Sequence, residues 1–141
     1  EFVSKSVIYP FGKYKNRRSF VSVDNLCFII NELIHNSKIE SGIYNVADDI
    51  SLSSIDLVKL ISELTGKPVS ILKFPKSFIR LIAAVGDFLP LPINSERLIK
   101  LTEDYVVSNS KIKTAVQKEL PISSKEGIKK TLNSFQIING I

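Results

Sequence analysis

The stretch from Arg18 to Leu26 changes its hydrophobic period in the middle, and this change constrains the fold more than any other feature of the chain. A short alternating run, residues 19–23, predicts a strand, because successive side chains of a strand point to opposite faces. From Asp24 the apolar residues recur every three or four positions, which predicts a helix to about Asn36 with Asp24 as its acidic cap. A strand that leads directly into a helix is typical of α/β proteins.

Later segments repeat this alternation with clear start and stop signals. Ser53 and Asp56 form a capping box, in which each side chain satisfies a free amide of the first helical turn, and Gly66 supplies a left-handed stop. A second capping box pairs Ser123 with Glu126. The other predicted elements are strands over 43–47, 69–74 and 105–107, and helices from Pro75 to about Val85 or Phe88, from Asn94 to Glu103, and after Ser108 or Asn109.

The predicted fold class is α/β, but the strands are too few and too short for a complete doubly wound sheet. The pattern therefore predicts a small mixed domain or part of a larger one. The lone cysteine, Cys27, lies in an apolar helical run and is predicted to be a small buried hydrophobe. The other side chains predicted to face inward are Leu57, Leu60, Ile61 and Leu64, then Leu98 and Leu101, then Ile112, Ala115 and Val116, and finally Ile128, Leu132 and Phe135.

The charge of the chain allows an anionic partner without identifying it. Its 141 residues carry a formal net charge of +5, and the densest cationic cluster lies at residues 13–18. That cluster is compatible with a nucleic-acid patch, a phosphate-binding loop or a solvated basic turn. Nucleic-acid binding is the weakest of the three, because neither zinc-ligand spacing, nor an aromatic RNA-binding motif, nor a long basic helix accompanies it.

Cysteine use and hydropathy indicate the compartment. A single cysteine cannot form a disulfide within the chain, which favours a reducing cytoplasm. The most apolar stretch, residues 78–91, contains Arg80, Asp87 and Pro90 and is shorter than the ~20 residues that span a bilayer. We therefore expect an ordinary core helix there, in preference to a helix on a membrane surface, and no membrane partner.

Two features concern the ends of the chain. The sequence contains no methionine, even at position 1, so we expect it to be part of a longer polypeptide. Residues 1–9 are predicted to be a helix end or an extended lead-in, and the tail after about Gln136 to be loose.

Four blocks of sequence, spread over residues 10–135, occur together in an order and spacing that resemble a known family. The chain resembles the C-terminal part of extended short-chain dehydrogenases/reductases of the NAD-dependent epimerase/dehydratase family. Within it, the closest branch is that of nucleotide-sugar 4-epimerases and 4-ketoreductases. The blocks are Pro10-Phe11-Gly12 with Asn16-x-Arg18-Ser19-Phe20-Val21-x-Val23-Asp24-Asn25-Leu26; Gly42-x-Tyr44-Asn45-Val46-Ala47-Asp48; Leu101-Thr102 with Val106-Val107-Ser108-Asn109-Ser110-Lys111-Ile112; and Leu120-Pro121-Ile122-Ser123 with Glu126-Gly127-Ile128 and Thr131.

This resemblance implies the organisation of a larger enzyme. Residues 1–141 would be its C-terminal nucleotide-sugar-binding portion, mostly the small mixed α/β substrate domain with one or two late strands of the Rossmann-like sheet. The N-terminal cofactor domain, which would hold NAD or NADP, would be missing. The parent would be a cytoplasmic isomerase or reductase acting on a nucleotide sugar, a UDP-sugar by expectation, for surface polysaccharide synthesis, and could be a homodimer.

The resemblance also implies substrate-binding residues. The family arginine matching Arg18 binds the diphosphate of the sugar nucleotide, a role suited to the planar, always charged guanidinium. Phe20 matches a position that often holds an aromatic residue near the nucleotide, although simple core packing explains it equally well. A second cation would be Arg97 or Lys100, both of which could also be surface charges. Ser108 departs from the family, which commonly has aspartate there.

The catalytic motifs of the family are not in this sequence. Its glycines never have the spacing of a pyrophosphate-binding turn. Tyr9 and Lys13 match the spacing of the family's Tyr-x-x-x-Lys pair, but Pro10 and Gly12 prevent the helix which that pair requires. We therefore expect an isolated chain that is inactive, with no catalytic residue, no metal and no cofactor of its own.

Three alternatives remain open at this stage. The parent could be a 4-epimerase or a reductase of 4-keto-6-deoxy sugars, since both reactions use one scaffold. The chain could instead be a non-catalytic module that binds nucleotides or RNA through residues 13–18. It could also have a structural role, with its helices forming an oligomer interface.

Overall fold

The computed structural model describes residues 8–139, with side chains described up to Phe135. The first two elements are strand β1, Arg17–Arg18, and helix α1, Val23–His35. Strand β2, Leu52–Ser53, pairs with β1 in a two-stranded sheet. The remaining helices are α2 (Ser54–Thr65), α3 (Lys76–Gly86), α4 (Ser95–Thr102), α5 (Ser110–Val116) and α6 (Ser124–Asn139). The described chain is thus a small mixed α/β structure, as predicted.

The capping boxes predicted for α2 and α6 and the glycine stop predicted for α2 are confirmed. The Ser53 hydroxyl accepts from the Asp56 amide at 3.0 Å while the Asp56 carboxylate accepts from the Ser53 amide at 3.1 Å. The Ser123–Glu126 pair shows the same reciprocal bonds. Gly66 ends α2 with a φ of 65°, a conformation that glycine adopts without a steric penalty.

The N-cap of α1 lies two residues before the predicted position. Ser22, not Asp24, is the N-cap, and its hydroxyl accepts from the Asn25 amide at 3.2 Å. Asp24 lies in the first helical turn, where a carboxylate still interacts favourably with the exposed amides of the helix start. The last helix extends to Asn139, so it includes part of the segment after Gln136 that was predicted to be loose. The predicted lead-in falls largely on residues 1–7, outside the described part of the chain.

The strand predictions are wrong within the described residues. Residues 19–22, 43–47 and 106–107 form no strand, and 69–74 contributes only isolated bridges, from Ile71 to Tyr9 and from Lys73 to Phe11. Alternating or β-branched sequence favours extended backbone, but a strand exists only where a second strand satisfies its amides and carbonyls. The described residues supply that second strand only to β1 and β2.

The chain divides into two compact units. The first unit comprises the described residues up to Arg17 together with Ser53–Tyr105, and so contains α2, α3 and α4. The second unit comprises Arg18–Leu52 and the described residues from Val106 onward, and so contains α1, α5 and α6.

The core of the first unit is an apolar cluster built on α3 and α4. Ile79 and Ala83, one helical turn apart on α3, pack with Leu98 of α4 and with Tyr14. Phe11 and Ile93 pack against this cluster. On α2 the predicted inward face is buried at Leu60 and half-buried at the other three positions. Leu101, predicted to face inward, is 45% exposed, because α4 buries only its Leu98 side.

The core of the second unit joins α1 to α5. Ile29 on α1 contacts Ile112 and Val116 on α5, which are at most 5% exposed. Two predictions fail here. Cys27 is exposed, because α1 turns its Ile29 face and not its Cys27 face toward this cluster. Phe135 is 56% exposed, although Ile128 and Leu132 of the same helix are half-buried.

Candidate functional site

A buried polar network organises the second unit around the start of α1. Asn25 is completely buried, and Asp48 and Ser22 are 5% and 6% exposed. One carboxylate oxygen of Asp48, Oδ1, accepts from the Asn25 side-chain amide at 2.7 Å and from the Ser22 backbone amide at 3.1 Å. A buried carboxylate is costly unless it is hydrogen-bonded, so these two donors explain how Asp48 can lie in the interior.

Asn25 extends this network to the segment before α6. Its side-chain Nδ2 also donates to the Ile122 carbonyl at 2.9 Å, and its Oδ1 accepts from the Ile122 amide at 3.1 Å. One side chain therefore replaces the backbone partner that a neighbouring strand would supply to Ile122. Gly127, on α6, allows close approach to α1, because a Cβ there would lie 2.5 Å from the Ser22 Cβ.

A second polar group of the same unit is centred on Asn109. Its side chain donates to the Ala47 carbonyl at 2.8 Å and to the Asp49 carboxylate at 2.9 Å. The hydrogen bond from Asn109, followed by the hydrogen bond and positive charge of Lys113, lowers the pKa of Asp49 below its ordinary value. Hydrogen bonds to Glu119 and to Asp49 raise the pKa of Lys113.

These contacts give the four sequence blocks a structural explanation. Asn25 comes from the first block, Asp48 from the second, Asn109 from the third, and Ile122 from the fourth. The blocks lie far apart in sequence, yet their polar groups bond one another within one unit. Much of what the blocks specify is therefore the shape of the second unit, on which a binding residue can be held.

Arg18, the first predicted substrate-binding residue, lies at the start of the second unit. Its side chain is half-buried, and its Nε is buried without a hydrogen-bond partner among the residues that the structure describes. The segment that follows is well fixed: the Ser19 hydroxyl accepts from the Val107 amide at 3.1 Å, and the Phe20 carbonyl accepts from the Asp48 amide at 2.7 Å. Arg18 is thus a cation with an unmet donor on a rigid segment.

Phe20, the second predicted residue, belongs to the same unit and is half-buried. Its carbonyl is tied to Asp48, so the direction of its backbone is determined by the polar network. The half-burial is compatible with both interpretations made from the sequence, packing within the unit and proximity to the nucleotide.

Arg97 and Lys100, the predicted alternatives for a second cation, lie on α4 in the first unit. Both are exposed. The Arg97 Nη1 donates to the Pro92 carbonyl at 3.0 Å, and the Lys100 ammonium pairs with Glu96 one turn earlier at 2.6 Å. That pairing lowers the pKa of Glu96, first through the hydrogen bond from Lys100 and then through its charge.

Sequence reasoning missed Asn25 and Asn16, two buried asparagines. Asn16, in the first unit, is 4% exposed and donates to the Ser54 hydroxyl at 2.8 Å and the Leu101 carbonyl at 3.1 Å. A signal was present, because both residues belong to the first block. Asparagine beside a helix start is common on protein surfaces, however, so its burial could not be inferred from the pattern alone.

Other chemistries find no support in the described residues. Nowhere between residues 8 and 139 do three or more metal-binding side chains gather. Over the same part of the chain, no helix has both the length and the hydrophobicity needed to cross a membrane.

The amino-acid sequence is similar to that of a nucleotide-sugar epimerase. No protein-family model matches the chain. It is 29% identical over 134 residues to a UDP-glucose 4-epimerase of Vibrio cholerae, and the match covers 94% of this chain. The chain spans only 39% of the length of that protein.

The fold matches solved structures over nearly the whole chain. A UDP-glucose 4-epimerase of Thermotoga maritima, solved with UDP-glucose, matches 96% of this chain and 37% of its own, with a TM-score of 0.60 and 16% identity. A dTDP-glucose 4,6-dehydratase of Bacillus anthracis in complex with NAD covers 96% of this chain and 39% of its own at a TM-score of 0.58 and 14% identity. A UDP-glucuronic acid 4-epimerase of Bacillus cereus, with UDP-glucuronic acid and NAD, covers 93% and 38% at 0.55 and 16% identity.

These matches confirm the resemblance that the four blocks predicted, to extended short-chain dehydrogenases/reductases of the epimerase/dehydratase kind. The likeness to the solved structures establishes the fold, and in each of them it involves less than two fifths of the matched chain.

Proposed function

We propose that this chain is the nucleotide-sugar-binding portion of a larger NAD(P)-dependent epimerase or ketoreductase, and that Arg18 binds the diphosphate of a UDP-sugar. The sequence similarity to a UDP-glucose 4-epimerase and the folds of relatives solved with UDP-sugars support this proposal. The product would be an activated sugar for surface polysaccharides, made in the cytoplasm.

The observation that carries the proposal is the unmet donor of Arg18. A buried charged N–H without a partner destabilises a protein by about 1–3 kcal/mol or more, so it is seldom retained without a use. A phosphate oxygen would supply the missing acceptor. Arginine suits this ligand, because Nε and a terminal nitrogen can bind two phosphate oxygens at once.

The role of a second cation stays a prediction for Arg97 and Lys100. The partner of Lys100 does not argue against it, because an ion pair between two exposed side chains of one helix is weak in water and is easily exchanged for a ligand. Among the described residues the Arg97 side chain donates one hydrogen bond, to the Pro92 carbonyl, and its remaining guanidinium donors are available for a phosphate.

The residues present do not fit the pyrophosphate of NAD. That site needs closely spaced glycines at the turn from a strand into a helix. Here Gly86 faces the Ile93 carbonyl and Gly127 faces Ser22, so both glycines serve close contacts within the chain. In our proposal the cofactor and the catalytic residues belong to the remainder of the parent enzyme.

The proposal is tested by titration calorimetry with UDP and with UDP-glucose, using the chain and any longer polypeptide of which it is a part. Arg18→Ala should weaken binding by about 1.5–3 kcal/mol, the range for a hydrogen bond to a charged group, which is roughly 10- to 150-fold. Arg18→Lys should restore only part of it, because lysine lacks the planar fork.

Lys15→Ala is the matched control, since it removes the same charge from an exposed position of the same basic cluster. It should leave affinity within about twofold once salt screening is held constant. Equal loss in both variants would mean nonspecific attraction and would refute the role of Arg18. Preferential binding of single-stranded RNA over UDP, with a steep salt dependence, would favour the RNA-binding alternative instead.

A further inference from the structure

Helix α3 carries two apolar faces, and only one of them belongs to the core. Ile79 and Ala83 form the buried face. Phe78, Leu81 and Val85 follow one another at spacings of three and four, so they share a second face, and they are 47%, 63% and 43% exposed. The ordinary core helix expected from the sequence is therefore observed on one side of α3 only, and the other apolar side is exposed.

The turns at both ends of α3 extend this exposed face. Before the helix, the Phe74 ring lies 5.7 Å from the Phe78 ring. After it, the amides of Phe88 and Leu89 both donate to the Val85 carbonyl, so the last turn continues in helical sense. Phe88 is 91% exposed and Leu89 55% exposed. Six large apolar side chains thus form one exposed surface, here named the α3 surface: Phe74, Phe78, Leu81, Val85, Phe88 and Leu89.

The charges along this part of the chain have one sign. Between Glu63 and Asp87 the sequence contains four basic residues, at 67, 73, 76 and 80, and no acidic residue. Lys73, Lys76 and Arg80 are exposed. Asp87, which ends the run, is directed toward the first unit itself: its carboxylate accepts from the Ser95 hydroxyl at 2.6 Å and the Ser95 amide at 2.9 Å.

These cations lack the carboxylate partner that four lysines elsewhere in the described chain have. Lys100, Lys113, Lys118 and Lys130 all pair with carboxylates. Lys73 and Arg80 make no ion pair within the described residues, and Lys76 lies over the Tyr14 ring at 5.2 Å. The α3 surface is consequently bordered by positive charges that no neighbouring carboxylate neutralises.

We propose that the α3 surface binds the face of a lipid bilayer that contains anionic phospholipid. Short helices with phenylalanine and leucine on one side and lysine and arginine at the border lie in the interface of a membrane, with the apolar side among the acyl chains and the cations at the phosphates. The helix need not span the bilayer to do this.

The charge pattern favours a bilayer over a second copy of the chain as the occupant. Two copies meeting through their α3 surfaces would bring the cations at 73, 76 and 80 of each close to those of the other, and like charges repel. An anionic membrane surface attracts the same cations, at about 1 kcal/mol for each one near the surface. This inference does not depend on the proposed nucleotide-sugar site.

The test is co-sedimentation of the chain with vesicles of equimolar phosphatidylglycerol and phosphatidylcholine, and with vesicles of phosphatidylcholine alone. We expect binding to the first and at least about tenfold weaker binding to the second. The double variant Leu81→Ser, Phe88→Ser should weaken the partition coefficient by at least about tenfold, because two apolar side chains no longer leave water. Removing two charges with Lys73→Gln and Arg80→Gln should weaken it by about 25-fold.

Matched controls distinguish binding through the α3 surface from nonspecific adsorption to vesicles. Ile34 and Ile43, in the second unit, are 72% and 88% exposed, similar to Leu81 and Phe88. The double variant Ile34→Ser, Ile43→Ser should bind vesicles as the wild type does. The double variant Lys125→Gln, Lys129→Gln should lose at most about half as much binding as Lys73→Gln, Arg80→Gln, because charges away from the membrane surface are screened by salt. Circular dichroism of each variant verifies that it is folded.

Several outcomes would overturn the proposal. They are equal binding to both kinds of vesicle at every salt concentration, equal loss in the control variants, and a failure of the wild type to bind. Self-association in sedimentation velocity that the Leu81→Ser, Phe88→Ser variant abolishes, without vesicle binding, would assign the surface to a second copy. Binding by the chain but not by a longer polypeptide containing it would mean that the remainder of that polypeptide covers the surface.

Discussion

In the first unit the core cluster is apolar, made by Ile79 and Ala83 with their neighbours, whereas the second unit adds the buried network of Ser22, Asn25 and Asp48 to its apolar cluster. Apolar burial is nondirectional and tolerates side chains of similar size. A buried polar network is directional, and each lost partner leaves another group unsatisfied. The comparison predicts that the second unit is the less tolerant of substitution, which the following variants test.

The largest effect is expected for Asn25→Ala. It removes three side-chain hydrogen bonds and leaves the Ile122 backbone groups and Asp48 short of partners. We expect the free energy of unfolding to fall by about 3–5 kcal/mol, as measured by urea denaturation. Hydrogen exchange should show the loss of protection concentrated in the second unit. Asn133→Ala, at an exposed position of α6, is the control and should change stability by less than about 0.5 kcal/mol.

Ile79→Ala probes the apolar cluster of the first unit. Its side chain is 5% exposed, and truncation should lower the free energy of unfolding by about 2–4 kcal/mol through lost burial and a cavity. The conservative variant Ile79→Val should lose only about 0.5–1.5 kcal/mol. A larger loss for Ile79→Ala than for Asn25→Ala in the same denaturation experiment would reverse the comparison between the units.

Gly127→Ala tests the close approach of α6 to α1. Alanine is intrinsically favoured over glycine in a helix by about 1 kcal/mol. Here its Cβ would lie 2.5 Å from the Ser22 Cβ, so we expect net destabilisation of about 1–2 kcal/mol in denaturant. Gly42→Ala is the control, because its nearest contact would be an ordinary 3.5 Å. Stabilisation by Gly127→Ala would show that the second unit repacks more easily than the network implies.

The smallest effect concerns Asp49, at the edge of the second unit. The hydrogen bond from Asn109, with help from Lys113, lowers its pKa in the folded state, so its stabilisation is present above the pKa of the unfolded chain and is lost as the pH falls through the folded value. Asp49→Asn should flatten the acid side of the stability–pH curve by less than about 1 kcal/mol, since the pair is partly exposed.

Thermal unfolding between neutral and acid pH would reveal this difference, with Glu63→Gln as an exposed control on α2. An identical acid dependence for the wild type and Asp49→Asn would show that the Asn109 contact does not persist in solution. The pH dependence contributed by Lys113 has the opposite sign, because the raised pKa of Lys113 provides stability that is lost as the pH rises through the pKa of the folded state.

The helices were predictable because their signals are local. A capping box such as Ser53–Asp56 completes its hydrogen bonds within four residues, and the stop at Gly66 depends on one backbone angle. The same locality explains the error at α1. Ser22 and Asp24 are both good caps, and only the contacts of the Ser22 amide with Asp48 decide between them.

The strands and the exposed faces were not predictable in this way. Residues 43–47 have the composition of a strand, but in the described chain Ala47 bonds to the side chain of Asn109. Periodicity marks an apolar face without saying what covers it, so Cys27 and Phe135 were expected inside and lie exposed. The predicted site residues were identifiable only through the family blocks, because a surface arginine has no periodic signature.

By itself the sequence determined where most helices begin and end, the α/β class, and the family that the chain resembles. All three follow from short-range patterns and ordered motifs. Only the tertiary structure decided that Asn25 is buried, that Arg18 has an unmet donor, and that α3 turns a second apolar face outward. Burial and hydrogen-bond satisfaction depend on residues up to a hundred positions apart, and those contacts exist only once the chain has folded.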